Sequence, residues 1–303
     1  MMEITSFQQK ISALFPNMDL RLNESMEKHT SFRIGGPAAV MVFPKTCEEL
    51  AEILSAASKE NIPFSVLGAG TNVLAPDAGM PVLVICLKDA LQGMEQIDDT
   101  RIRVAAGVTM TRAAVFAAER NLGGMEFAHG IPGTVGGGVY MNAGAYGGEI
   151  KDICESVEVM DLQGNCKTIP AEEMDFSYRH SRIEEEGGVV VSAVFRLTPK
   201  PCSEVRALMQ ELIGKRSKSQ PLELPSAGSA FKRPVGGYAA ALIDEAGLKG
   251  FQIGGAAVSE KHAGFVVNLG GATAEDVKKL LSEVSRIVFE RTGIRLEPEV
   301  RIW

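Results

Sequence analysis

The chain has 303 residues, enough for about two domains of ordinary size. Its 45% hydrophobic and 23% charged content is that of a soluble globular protein that can bury a sizeable core. The formal charge of −7, from 31 Lys+Arg against 38 Asp+Glu, argues against non-specific nucleic-acid binding, which needs a basic face. Glycine is the compositional outlier at 32 residues, about a tenth of the chain where ~7% is usual, and it lacks the three-residue period of collagen.

Met1–Lys10 shows no charged region followed by a long apolar run, so no secretory leader is expected. Strands are expected at Ala38–Phe43, Phe64–Leu67, Pro81–Leu87 and Arg101–Ala106. A helix over Glu48–Asn61 places Leu50, Ile53, Leu54 and Ala57 on one face. An alanine-rich helix over Thr111–Asn121 stops at Gly123-Gly124. Strands follow at Ser156–Asp161 and Val189–Leu197, and Pro199-Lys200-Pro201 marks a domain boundary. Helices are expected at Ser203–Ser217 and Gly237–Leu248, and strands at Phe251–Val258 and Phe265–Leu269. The last helix opens on Thr273 and Asp276 at capping-box spacing, repeats Val277, Leu280, Leu281, Val284 and Val288, and closes at Gly293. A terminal strand is expected at Arg295–Ile302. The irregular alternation of helices and strands reads as α+β.

Five scattered cysteines without CxxC spacing read as reduced thiols in a cytoplasmic protein. Four histidines without ligand spacing give no expectation of a metal site. The longest apolar runs are far below the ~18–20 residues that span a bilayer, so no membrane span is expected.

The glycines fall in three groups: Ile34-Gly35-Gly36-Pro37, Gly68-Ala69-Gly70-Thr71-Asn72, and ten between Asn121 and Glu149. Glycine lets a ligand approach the backbone, and successive N–H groups can form anion nests. Three such loops suggest a ligand with a long phosphate-bearing body; tight turns around a sheet are the alternative. There is no GxxxxGK[ST], and Val73 occupies the third glycine position of a GxGxxG register, so neither a P-loop nor a Rossmann dinucleotide site is expected. Phe176–Ser181 sets Arg179 among aromatics, Ser226–Lys232 presents Ser229 on a small-residue loop, and Leu296–Arg301 carries Glu299. Each of these taken singly reads as structural.

Together the segments resemble one family. His29-Thr30-Ser31-Phe32-Arg33-Ile34-Gly35-Gly36-Pro37-Ala38 is similar to its opening motif. Gly68–Leu74 resembles its first flavin loop, and Gly130–Gly137 with Tyr140–Gly147 resembles the second. The family is that of UDP-N-acetylenolpyruvoylglucosamine reductase, in a shorter branch without the insertion that carries a substrate-capping tyrosine. The resemblance implies a vanillyl-alcohol-oxidase/PCMH-type FAD-binding fold plus a C-terminal α+β substrate-binding domain. Its implied division is 1–75 with 296–303, 76–199, and 200–295. It implies non-covalent FAD, NADPH as hydride donor, a nucleotide-sugar substrate, no nucleic-acid partner, and a cytoplasmic monomer or weak dimer.

The same resemblance implies site roles residue by residue. Gly68, Ala69, Gly70, Thr71, Asn72, Gly130, Ile131, Pro132, Gly133, Thr134, Gly136, Gly137, Asn142, Gly144, Ala145 and Arg216 would contact the cofactor. Tyr178, Lys232, Arg233 and Gln252 would contact the substrate, Arg233 standing where the family often has Asn. Arg179 would hold the substrate carboxylate, Glu299 would act in its protonated form, and Ser229 would donate the proton, with Lys232 easing its loss. The alternatives are another FAD oxidoreductase of the same fold, or a non-catalytic flavin-binding module.

Overall fold

A computed structural model describes residues 4–303; Met1–Glu3, the start of the segment read for a leader, lie outside them. The chain forms two compact units. The first takes residues up to Leu22, Val40–Ala69 and Val82–Lys215; the second takes Asn23–Ala39, Gly70–Pro81 and Arg216–Trp303. Compactness therefore divides the chain in two where the family resemblance implied three parts, and Pro199-Lys200-Pro201 lies inside the first unit.

The first unit is built on two sheets. Helix Cys47–Lys59 follows strand Pro37–Val42 and leads into Phe64–Leu67, which pairs in parallel with Met80–Cys86. Thr46 caps that helix through the Glu49 N–H, and Leu50, Ile53, Leu54 and Ala57 form its buried face as the sequence period requires. The second sheet runs Cys166–Pro170, Cys154–Met160, Val189–Arg196, Arg101–Ala105 and Met94–Gln96, antiparallel throughout. Helix Met110–Ala118 packs Ala113, Ala114, Ala117 and Ala118 into the core of this layer. Its small side chains leave room for the short helix Val135–Tyr140. There a Cβ on Gly138 would lie 2.7 Å from Met110 Sδ, and one on Gly136 would lie 2.9 Å from Ala106 Cβ.

The second unit holds an antiparallel sheet in the order Ser226–Ser229, Phe265–Asn268, Ala256–Val258 and Gln252–Ile253. Helix Ala274–Thr292 covers it, burying Val277, Leu280, Leu281, Val284 and Val288 against Ile243, Val258 and Val266. Each such side chain contributes roughly 1.5–3 kcal/mol of transfer free energy. The capping box at Thr273 and Asp276 forms as expected, and Gly293 closes the helix in the left-handed conformation. A second cap comes from outside the local sequence: the Asp77 carboxylate accepts from the N–H groups of Ala274 at 2.7 Å and Glu275 at 3.1 Å.

Two expected strands differ. Phe251–Val258 is broken at Gly254-Gly255 into a hairpin, where a Cβ on Gly255 would lie 2.4 Å from the Ala272 nitrogen. Arg295–Ile302 is strand only at Arg301–Ile302, because it pairs piecewise with different segments. Leu20–Ser25 and Cys166–Pro170 are strands that hydrophobic pattern does not announce, being largely polar and exposed.

Candidate active site

The start of the first loop read as flavin-binding, Gly68 and Ala69, lies in the first unit and meets the second loop there. A Cβ on Gly68 would lie 2.8 Å from Thr134 Oγ1, so only glycine allows the first loop to approach the second this closely. Gly133 has φ +130° and Gly130 has φ +90°, conformations that side chains resist. Thr134 is buried and caps helix Val135–Tyr140 by accepting from the Gly137 N–H at 3.3 Å. The Gly136 N–H donates to Ala106 O at 2.8 Å and the Val135 N–H to Val108 O at 2.8 Å. Gly136 and Gly137 thus hold the loop against the protein, and their N–H groups are already engaged.

The donors that remain lie just before the helix. Among the described residues, the N–H groups of Ala69, Gly133 and Thr134, all in the first unit, donate to no protein group. Beside them His129 Nδ1 is buried without a hydrogen-bond partner, and burial pushes the imidazole pKa down, so the ring is neutral at pH 7. Unpaired backbone donors on glycine-opened loops fit the diphosphate of a dinucleotide such as FAD.

Other glycines have a different role. A Cβ on Gly36 would lie 2.2 Å from Asp77 O, and one on Gly35 would lie 2.7 Å from Ala75 Cβ. The Gly36 N–H donates to Pro76 O. The Ile34–Pro37 group is therefore a close backbone crossing in the second unit, where the missing Cβ atoms make room for protein and not for an anion. Gly147 and Tyr146, at φ +88° and +53°, form the two-residue turn that joins Gly144–Ala145 to Gly148–Glu149.

Arg179 sits on a tight turn of the first unit. Ser177 and His180 exchange backbone hydrogen bonds at 3.2 and 3.3 Å, leaving Tyr178 and Arg179 at the tip. Arg179 adopts φ +55°, its Nη2 donates to Gly144 O at 3.3 Å, and its guanidinium lies 5.0 Å from the Tyr178 ring centre. Asn142 is completely buried, and its amide donates to Ser177 O at 2.9 Å and Glu149 Oε2 at 3.0 Å while accepting from the Lys151 N–H at 3.0 Å. All of these contacts are within the protein, so the structure uses Asn142 as a tie between segments.

Glu149 lies in the same hydrogen-bonded cluster and was not singled out from sequence, since nothing in its local pattern distinguishes it from a surface acid. Burial raises its pKa, but hydrogen bonds from Lys151 and Asn142 and the charges of Lys151 and Arg179 leave it lowered overall. Ser181, buried and donating to Tyr140 O at 2.8 Å, was missed for the same reason.

Ser229 and Glu299 belong to the second unit, and non-local pairing brings them together. The Glu299 N–H donates to Ala230 O at 2.9 Å, the Lys232 N–H to Glu297 O at 2.8 Å, and Phe231 bridges Pro298. On the other side of the same tail, Asn72 Nδ2 donates to Glu299 O at 3.1 Å and the Arg301 N–H to Asn72 O at 2.9 Å. The tail at Glu297–Ile302 is thus laced between the first loop and the segment that follows Ser229. Ser31 ties the two ends of this arrangement, with its N–H on Gly70 O at 3.0 Å and its hydroxyl on Ser226 O at 2.6 Å.

Ser229 is exposed at a bulged strand end next to Gly228, whose φ is +75°. Lys232 Nζ lies 3.5 Å from Glu297 Oε2 and makes no hydrogen bond to Ser229, so its expected help to that hydroxyl is not seen. The Arg233 guanidinium stacks 4.1 Å from the Tyr238 ring centre on an exposed loop, and Gln252 Nε2 donates to Gly254 O at 2.7 Å. Arg216 is buried with its Nη1 on Gln220 Oε1 at 3.0 Å.

The fold and loops define an FAD-binding oxidoreductase of the α+β class, and the family model for the FAD binding domain matches residues 38–169. The model for the C-terminal domain of UDP-N-acetylenolpyruvoylglucosamine reductase matches residues 220–303. Proteins of that name are 45% identical in Agathobacter rectalis, over 98% of this chain and 98% of the relative, and 44% identical in Streptococcus pneumoniae, over 98% of each. The crystal structure of the reductase from Thermus caldophilus is 36% identical, with a TM-score of 0.77 over 95% of this chain and 99% of that one. The chain belongs to the UDP-N-acetylenolpyruvoylglucosamine reductase family. No helix among the described residues is long and apolar enough to cross a membrane.

Proposed function

We propose that this chain reduces UDP-N-acetylglucosamine enolpyruvate to UDP-N-acetylmuramate, with NADPH as the hydride donor, in peptidoglycan precursor synthesis in the cytoplasm. The observation that carries the reading is the laced tail, which holds Glu299 beside the segment following Ser229 and against Asn72 of a flavin loop. In this reading the cofactor is held by 1–75 with 296–303 and by 76–199, and the nucleotide sugar by 200–295. Ala69, Gly133 and Thr134 would hold the FAD diphosphate through their N–H groups, and Gly70 and Arg216 are carried over as further contacts from the family resemblance.

Bound FAD supplies the hydride that NADPH donates and the terminal vinyl carbon accepts. Hydride addition leaves negative charge on the neighbouring carbon and its carboxylate. Arg179 holds that carboxylate, for which a planar fork of donors is suited and where positioned charge is most effective away from water. Glu299 acts on the same developing charge. Ser229 gives its proton to the carbanionic carbon; a serine hydroxyl is a weak acid and works here only because the acceptor is strongly basic. Tyr178, Lys232, Arg233 and Gln252 bind the nucleotide sugar, and a guanidinium at 233 pairs with its diphosphate.

Mixing the yellow protein with NADPH and then with the enolpyruvyl nucleotide tests this. Ser229→Ala retains bleaching by NADPH and slows the substrate-driven return of colour by roughly 10²–10⁴-fold, the usual contribution of a general acid. Normal turnover in that variant would remove Ser229 from the reaction. Bleaching of the wild-type protein without recovery on substrate would favour a different FAD oxidoreductase.

A further inference from the structure

Arg179 holds a conformation that a non-glycine residue adopts only when its surroundings impose it. A guanidinium that must meet a carboxylate with both prongs needs its backbone fixed to within a fraction of an ångström. Within the turn, Ser177 and His180 exchange two backbone hydrogen bonds, and Ser177 O also accepts from the Asn142 amide. Two buried side chains bond on either side of its tip: Asn142 donates to Ser177 O, and Ser181 donates to Tyr140 O.

We propose that Asn142 is a positioning residue for Arg179, aligning the guanidinium through a closed ring of contacts. The ring runs from the Asn142 amide to Ser177 O, through the turn to Arg179, from Arg179 Nη2 to Gly144 O, and across the hairpin pair Gly144–Glu149 to the carboxylate that accepts from Asn142. Asn142 is itself left-handed at φ +41°, where asparagine is well tolerated, and its amide supplies both donors and the acceptor that the ring requires. Ser181 closes the other side by donating to Tyr140 O, two residues before Asn142. This role differs from direct contact with the cofactor, and it rests on the reading of Arg179 as the group that holds the substrate carboxylate.

Asn142→Asp is the informative change. It keeps size, left-handed tolerance and an acceptor for the Lys151 N–H, but turns both donated bonds into repulsions against Ser177 O and Glu149. The measurement is a double-mutant cycle with Arg179→Ala on the FAD-loaded protein. It reads the dissociation constant of the enolpyruvyl nucleotide by calorimetry and the rate of substrate-driven flavin reoxidation. Flavin content and thermal midpoint are recorded for each variant.

With Arg179 present, Asn142→Asp weakens binding or slows reoxidation by on the order of 10–10²-fold and leaves flavin reduction by NADPH unchanged. In the Arg179→Ala background it has no further effect. Equal losses in both backgrounds, no loss in either, or loss of bound flavin would overturn the positioning role. If Asn142→Asp does not fold, Ser181→Ala enters the same cycle, with the same non-additivity expected and the same outcomes against it. A harmless Arg179→Ala would instead overturn the role assigned to Arg179, which separates the two failures.

Discussion

Gly35-Gly36 and Gly130–Gly133 look alike as sequence, two glycine groups flanked by proline and small apolar residues, and the structure gives them opposite tasks. At Gly36 the absent Cβ makes space for protein: Asp77 O would be 2.2 Å away, and the Gly36 N–H is bonded to Pro76 O. At Gly133 the glycine supplies a backbone angle of φ +130°, and the N–H groups of Gly133 and Thr134 are left for something other than the described residues. The first kind of glycine stabilises a crossing of chains, and the second presents donors. A glycine count cannot separate them, because the distinction lies in what stands opposite the missing side chain.

Substitution should split the two. Gly36→Ala has the largest expected effect on stability, about 3 kcal/mol or more by denaturant unfolding, because the neighbouring atoms are backbone and cannot swing aside. The folded fraction should bind flavin normally. Gly133→Ala should cost roughly 1–3 kcal/mol of backbone strain, and here the loss should show in flavin affinity, measured by dialysis of the bound cofactor. If both variants lost stability alone, the donor role of the 130–134 loop would fall.

Asp77→Ala tests the crossing from its other side. It removes the carboxylate that caps helix Ala274–Thr292 and should cost about 1–2 kcal/mol without changing flavin affinity. The smallest effect is on acid stability, far from either glycine group. The Thr100 N–H and then the Arg101 side chain hold the Asp98 carboxyl at about 2, against an ordinary 3.8. A lowered carboxylate pKa stabilises the fold above the unfolded value, and that contribution is lost as pH falls through the folded one. Asp98→Asn should therefore lower stability at neutral pH and flatten the acid limb between about pH 4 and 2, the variant and the parent protein converging at low pH.

Helices were legible because their determinants are local. Leu50, Ile53, Leu54 and Ala57 repeat at helical spacing, and the Thr273–Asp276 box lies within one turn. Strands were legible where they are apolar, as at Val189–Arg196, and were missed where they are polar, as at Cys166–Pro170. The tail from Arg295 reads as one strand in sequence and is not one. Its successive residues pair with Lys232, Ala230 and Asn72, partners that no local pattern names.

Of the candidate site, the motifs that identify Arg179, Ser229 and Glu299 lie in the sequence, whereas Glu149 and Ser181 do not. Asn142 was read as touching the cofactor, and its buried hydrogen bonds, which that reading did not foresee, join it to Ser177, Glu149 and Lys151.

The sequence by itself determined the helices, the apolar strands and the family, because periodicity, caps and ordered motifs are properties of neighbouring residues. Only the tertiary structure decided which glycines are crossings and which present donors. It also decided how the tail is laced beside Ser229 and what holds Arg179 in its left-handed turn. Those outcomes depend on pairings between segments dozens to hundreds of residues apart, where a missing Cβ or a buried amide has meaning only through what is packed against it.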